Sequence, residues 1–216
     1  MRFADRLEAA ERLAQALQHH RGRDPLILAI PRGALPMGSV LARRLQGELD
    51  VVLVRKLRSP FSPEYAIGAI DETGWAYIAE HARAAGASDA YIEQEKRDQL
   101  AVLRERRARY TPGRQPLDPA GRVDVVVDDG LATGSTMLAA LHAVRARKPQ
   151  RLVCAVPVAS QPALELVRPY ADEVVCLHAP EDFYAVGQFY RSFSQVEDGE
   201  AIAILNTAAR ATAPMP

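Results

Sequence analysis

Apolar positions along this chain follow two alternating rhythms. Phe3, Leu7, Ala10, Leu13, Ala14 and Leu17 recur at helical spacing, which predicts an amphipathic opening helix ending near His19-His20-Arg21-Gly22. Leu26-Ile27-Leu28-Ala29-Ile30 is instead a short continuous apolar run, as in strands covered on both faces. Pro31-Arg32-Gly33-Ala34-Leu35-Pro36 turns the chain into a second helix through about Leu45, with Pro36 in its first turn. Residues 49–54 form a second buried strand, and strand, helix, strand at this spacing predicts a parallel, right-handed crossover. Further apolar runs at 123–127, 152–158 and 174–177 bring the buried strands to five, the last two separated by a helix starting near Gln161-Pro162. The alternation predicts a doubly wound α/β fold on a mostly parallel five-stranded sheet.

Two segments break the rhythm. In 57–80, Pro60 and Pro63 interrupt the pattern, and apolar runs at 65–70 and 75–78 flank Asp71-Glu72-Thr73-Gly74. That reads as an inserted hairpin with an Asp/Gly turn, carried on a flexible loop. Residues 89–110 follow as a long, highly charged helix, ended by the Pro- and Gly-rich stretch 111–119. Residues 183–193 are rich in aromatics, 199–209 read as a closing helix, and 211–216 as a disordered tail. No internal repeat is visible, so 1–210 reads as a single domain, with 179–210 and the N-terminal helix as a small hood.

The composition narrows the choice of function. Lys plus Arg and Asp plus Glu each number 27, so no net charge draws the chain to nucleic acid or membrane. The 48% apolar content supports a full core, and no run is long enough to span a bilayer. Cys154 and Cys176 sit in strand-like runs and read as reduced, buried thiols. With an N-terminus that looks like neither a signal nor a transit peptide, the expected location is cytoplasmic.

The chemistry concentrates in Val123-Asp-Val-Val-Val-Asp128-Asp129-Gly130-Leu131-Ala132-Thr133-Gly134-Ser135-Thr136. An apolar run ends in two adjacent carboxylates, and a Gly/Thr/Ser loop leads straight into a helical pattern. Such a turn aims several backbone N–H groups at one spot with a helix dipole behind them, an anion cradle suited to phosphate. Two acids beside a phosphate would repel it unless the ligand also carries hydroxyls or a metal. A sugar phosphate supplies the hydroxyls, so the motif reads as a ribose 5-phosphate site.

This stretch resembles the phosphoribosyl-diphosphate (PRPP) motif of type I phosphoribosyltransferases, and the strand order resembles theirs over most of the chain. The resemblance implies that Asp128 and Asp129 hold the ribose 2′- and 3′-hydroxyls, while Ala132, Thr133, Gly134, Ser135 and Thr136 hold the 5′-phosphate. Gly130 departs from the family, which usually has Val, Ile or Leu there; looser packing beneath the loop is expected. The long Arg-rich helix ahead of the Asp-Asp strand also resembles a group of bacterial phosphoribosyltransferase-domain proteins.

Other strand ends carry related groups. Gly33 frees the backbone to turn its amides toward a ligand, and Arg32 offers a forked donor; the family has a diphosphate-contacting loop after its first strand. Arg55 and Lys56 close the second strand, where cations would neutralise a departing diphosphate. The family places a mobile loop next, and 58–74 fits that role, with Glu64 and Tyr65 as residues for a closed state. The helix and its exit carry Lys96, Arg97, Arg104, Arg106, Arg107, Arg109 and Arg114 among interspersed acids, which favours a solvated or subunit-contacting face over nucleic-acid binding. His19, His20, His81, His142 and His178 lack ligand spacing, although His178 follows a strand end. Phe183, Tyr184, Phe189, Tyr190 and Phe193 read equally as a stacking surface for a base and as a plain hydrophobic cap.

The implied activity is transfer of the 5-phosphoribosyl group between PRPP and a small-molecule nitrogenous base, with release of diphosphate. Asp128, Asp129 and Lys56 would be the catalytic residues, and Mg²⁺ the cofactor. The metal would be held mainly by substrate and water, with Asp128 or Asp129 as the protein ligands in question. A homodimer is expected from the family. The competing reading is a non-catalytic PRPP- or nucleotide-sensing regulator on the same fold, binding RNA through the Arg-rich helix. A phospho-acceptor receiver fits poorly because the acid pair is central in the chain. A dinucleotide-binding enzyme fits worse, since no Gly-x-Gly-x-x-Gly follows any strand.

Overall fold

A computed structural model describes residues 1–62 and 65–212. The elements are α1 (Arg6–Ala16), β1 (Leu26–Ala29), α2 (Leu35–Leu45), β2 (Glu48–Val51), β3 (Val54–Arg58), β4 (Ala66–Asp71), β5 (Ala76–Ile78), α3 (Asp89–Tyr110), β6 (Val123–Val127), α4 (Ser135–Arg145), β7 (Arg151–Val158), α5 (Gln161–Val167), β8 (Glu173–His178) and α6 (Asp198–Thr212). Five strands form one wholly parallel sheet in the order β2-β1-β6-β7-β8. Alternate side chains divide between two buried layers. Ile27, Ala29, Val125, Val127, Val153 and Ala155 join the core of α1, α2 and α6. Leu26, Leu28, Val126, Cys154 and Val156 join that of α4 and α5. Burial on both faces is why these strands read as unbroken apolar runs.

The second strand departs from expectation. It ends at Val51, and Val54–Arg58 belongs to a separate antiparallel sheet of order β3-β4-β5. Arg55 and Lys56 therefore lie inside β3 rather than at the end of a parallel strand. The hairpin read from the pattern is present as β4 and β5, and β3 adds a third strand to it where a flexible loop was expected to begin, with Leu57, Ile67 and Ile70 fully buried. Its turn is fixed by Asp71, whose Oδ1 accepts from the Thr73 N–H at 2.8 Å, the Thr73 hydroxyl and the Trp75 N–H at 3.1 Å. Asp71 Oδ2 lies 3.4 Å from His142 Nδ1 on α4, and Trp75 stacks on that imidazole at 3.6 Å. Glu64 lies outside the described residues, as does the end of the C-terminal tail; α6 itself runs on to Thr212, beyond the helix read from the pattern.

The segments read as a hood, the N-terminal one and 179–210, pair with each other ahead of α1. Phe3 stands ahead of α1, and its backbone pairs with the aromatic segment through Phe3 N–H to Phe189 O and Arg191 N–H to Phe3 O, each 2.8 Å. Leu7, placed on the core face by the helical pattern, is exposed. Val186 descends from the hood onto Gly130, where an added Cβ would stand 2.6 Å from Val186 Cγ1 and 3.0 Å from Val158 Cγ1. The packing under the loop is thus filled from above rather than loosened. Gly130→Val is expected to cost ~1–3 kcal/mol of stability by overpacking. Denaturant titration of Gly130→Val/Val186→Ala should recover most of that loss; no recovery would mean Val186 does not occupy this space.

Among the described residues the parallel sheet buries two carboxylates, Asp50 with hydrogen-bond partners and Asp124 without. Asp124 shares a face with Leu26 and Val126, is fully buried, and neither carboxylate oxygen has a hydrogen-bond partner among the described residues. Burial pushes its pKa up to about 7, with Arg122 and Arg147 opposing. The unfolded chain ionises this group from about pH 4, the folded protein only near pH 7. Its burial cost therefore grows across that interval and is complete by pH 8. Asp124→Asn is expected to stabilise the protein by ~2–4 kcal/mol at pH 8 and by far less at pH 4. Thermal unfolding at the two pH values checks this, and equal gains at both would contradict it.

Candidate active site

The loop between β6 and α4 is pinned along its outer edge. Leu131 bridges to Ala159, with Leu131 N–H donating to Val158 O and Ser160 N–H to Leu131 O at 2.9 Å each. The Ser160 hydroxyl donates to Ala132 O at 2.7 Å. Gly134 then caps α4 at φ +78°, where a side chain would be strained and its Cβ would lie 3.1 Å from Ala163 O. With its carbonyl edge tied down, the loop turns its donors outward. Among the described residues, no protein acceptor meets the backbone N–H groups of Ala132 to Thr136 or the hydroxyls of Thr133, Ser135 and Thr136. Ala132, Thr133, Gly134 and Thr136 line a cavity of about 170 Å³ that Lys56, Asp128 and Val186 also line. Free donors at the start of an 11-residue helix make an anion cradle.

Asp128 and Asp129 stand beside it. The Asp129 N–H donates to Asp128 Oδ1 at 2.9 Å, and the Asp129 carbonyl accepts the Tyr190 hydroxyl at 2.6 Å. Burial and the neighbouring acids hold that phenol protonated. Burial, then the charge of Asp129, pushes Asp128 well above the ordinary carboxylate range, with Lys56 among the groups that oppose it. Burial also raises Asp129, against the pull of Arg6. Arg6 Nε and Nη2 both donate to Asp129 Oδ2, at 2.9 and 2.8 Å. Its Nη1 donates to Ser194 O at 2.6 Å, and the guanidinium lies 3.9 Å from the centre of the Phe193 ring. The Gly33 backbone closes the other side, since a Cβ there would meet Asp129 Oδ2 at 2.2 Å.

Arg6 was not among the residues singled out from the sequence, although its position carried a signal. It falls on the same face of α1 as Ala10 and Leu13, both buried, and a cation on a core face calls for a buried acid partner.

The remaining sequence candidates separate. Lys56 is exposed and lines the loop cavity, whereas Arg55, one residue away on β3, turns its Nε to Gln99 of α3. Arg32 follows a cis peptide bond from Pro31, and its Nη1 lies 3.5 Å from Asp198 Oδ1 and 3.6 Å from Glu197. Asp198 also accepts from Tyr110 at 2.9 Å and Arg109 at 3.0 Å, so Arg32 is held toward α6 and the end of α3. Tyr65 packs against His81, with ring centroids 5.2 Å apart. His178 lies 3.1 Å from the Met1 amino group, edge-on to Phe189, and no histidine lines the loop cavity. Of the aromatics, Tyr190 and Phe193 stack at 4.9 Å beside the acid pair, Phe183 packs on Phe189, and Tyr184 is exposed. The basic helix is not wholly a solvated face, because Arg107 is largely buried against Glu72 at 2.6 Å and Asp50 at 3.5 Å.

Among the described residues no helix is long and apolar enough to cross a membrane. The chain is similar to TT1426 of Thermus thermophilus, whose crystal structure superposes with a TM-score of 0.80 at 46% identity, covering 95% of this chain and 98% of that one. It is 42% identical over 209 residues to a Mycobacterium tuberculosis protein provisionally named a phosphoribosyl transferase, in strains H37Rv and CDC 1551 alike. That match covers 96% of this chain and 47% of the relative, so the chain spans about half the length of the curated proteins it matches. The phosphoribosyl transferase domain matches residues 4–193, and the chain belongs to that family.

Proposed function

We propose that this domain transfers the 5-phosphoribosyl group between PRPP and a nitrogenous base, with diphosphate as the other product. The observation that carries the reading is a set of donors at 132–136, unpartnered among the described residues, beside a half-buried acid pair. A phosphate on those donors and a diol on the acids match a ribose 5-phosphate at both ends.

Each residue then has a task. Thr133, Ser135, Thr136 and the amides from Ala132 through Gly134 take the 5′-phosphate; Asp128 and Asp129 accept from the ribose hydroxyls. Lys56 supplies positive charge near the sugar, and Gly33 and Arg32 take the diphosphate, Arg32 once it leaves Asp198 and Glu197. Arg55 is less suited to that task because its side chain is engaged on α3. As the glycosidic bond breaks, charge builds on the departing diphosphate and on the ribosyl carbon. Fixed cations and fixed carboxylates stabilise the two ends without reorganising. The domain's share of catalysis is thus positioning and electrostatics.

The site suits Mg²⁺. Asp128 and Asp129 are hard oxygen donors whose burial disfavours their ionised forms, and a divalent cation would relieve this. Bound there with the substrate, the metal would neutralise diphosphate charge. The free thiols of Cys154 and Cys176 fit a cytoplasmic location, and the family's habit supports a homodimer.

The decisive experiment is turnover of Mg²⁺–PRPP with a panel of purine and pyrimidine bases, read as diphosphate release. Release with one base supports the enzyme; PRPP binding without release from any base supports a sensing regulator. Asp128→Asn and Asp129→Asn should each lower kcat at least ~100-fold with the fold intact by circular dichroism. Activity within a few-fold of wild type would remove the acid pair from the mechanism. Arg6 favours the ionised form of Asp129. Replacing it raises that pKa, so Arg6→Ala should move the acidic limb of the kcat/KM profile to higher pH. An unmoved limb would show that Arg6 does not act through this carboxylate.

A further inference from the structure

Four cations converge beside the phosphate loop, and among the described residues no acid is paired to any of them. Arg55, Lys56 and Arg58 of β3 and Arg106 of α3 line a cleft of about 420 Å³, with Thr136 and two small apolar residues completing it. Lys56 and Thr136 also line the loop cavity, so the two spaces share a wall. Among the described residues the Arg55 side chain hydrogen-bonds to the neutral oxygen of Gln99 and to no acid. The nearby Glu95 uses its Oε1 on the Arg58 N–H and the Gln99 amide, both at 3.0 Å.

This clustering is not a by-product of a basic chain. Cations and acids are equal in number overall, and Arg107, next to Arg106, is paired with Glu72 and Asp50. Burial, Arg106 and Arg58 all disfavour the charged form of Arg55, a cost that an anion in the cleft would relieve.

We propose that the cleft is a second phosphate site that takes an oligophosphate chain. Its favoured source is a nucleoside 5′-di- or triphosphate whose first phosphate rests on the loop at 132–136. This source rests on the sugar-phosphate placement proposed above; the cleft itself does not. Its volume suits a few phosphate groups. Its lining contains no aromatic ring on which a nucleic-acid base would stack. A phosphate on the loop would stand across Lys56 and Thr136 from the cleft, so a longer chain could pass between the two spaces.

Calorimetric titration of the whole protein with AMP, ATP and inorganic tripolyphosphate tests this in metal-free buffer. The comparison is Arg58→Gln/Arg106→Gln, which keeps side-chain bulk and removes two charges outside the proposed catalytic set. ATP is expected to bind at least tenfold more tightly than AMP, and the double variant should lose that gain while keeping its affinity for AMP. Tripolyphosphate binding that depends on Arg58 and Arg106, without any AMP binding, would uphold the cleft with free oligophosphate as its ligand and overturn the sugar-phosphate placement. Equal binding of AMP and ATP with no tripolyphosphate binding overturns the proposal. So does a gain that survives the double substitution.

Discussion

Two carboxylates sit side by side, largely withdrawn from water, at the end of β6, and much of the structure answers to that arrangement. Adjacent buried acids repel each other and lose hydration, so they persist only where surrounding groups compensate. Arg6 supplies a fork from α1, Lys56 a charge from β3, and the Asp129 amide a local donor. Each compensator comes from a different part of the chain. The N-terminal helix, the antiparallel insertion and the parallel sheet are held to one another partly by the need to keep this pair in place.

Backbone approach matters as much as charge. Gly33 lets the first strand's turn lie against Asp129, and Gly134 lets the loop reverse into α4 while its amides stay outward. Both would be strained or blocked by a methyl group, so the loop's shape is set by two positions where no side chain can stand. Gly130 is a third close approach, set by the hood rather than by the turn. Val186 fills the space that a larger residue would otherwise take, which couples the hood's position to the floor of the cavity.

The inner parallel strands β1, β6 and β7 were legible because burial on both faces leaves an apolar signature, and the strand-to-helix loop because its residue types are specific. The division at Val51 was not, since 49–54 stays almost wholly apolar across the point where the chain leaves one sheet for another. Nothing local distinguishes a strand that continues from one that changes partners; β4, the partner of β3, decides it. The same reason hid the attachments of Arg32 and Arg55, whose partners Asp198 and Gln99 are remote in sequence. Arg6 is different, because its place on an otherwise apolar helix face was readable and only its partner was not.

The helix that begins at the loop after β6 also carries, near its far end, the imidazole on which Trp75 stacks and beside which Asp71 sits. α4 is a single unbroken rod of 11 residues, so the cradle's rim and the insertion's turn are mounted on one beam. A shift of that beam, whatever drives it, reaches both at once. The floor of the loop cavity and the wall beside it would travel together.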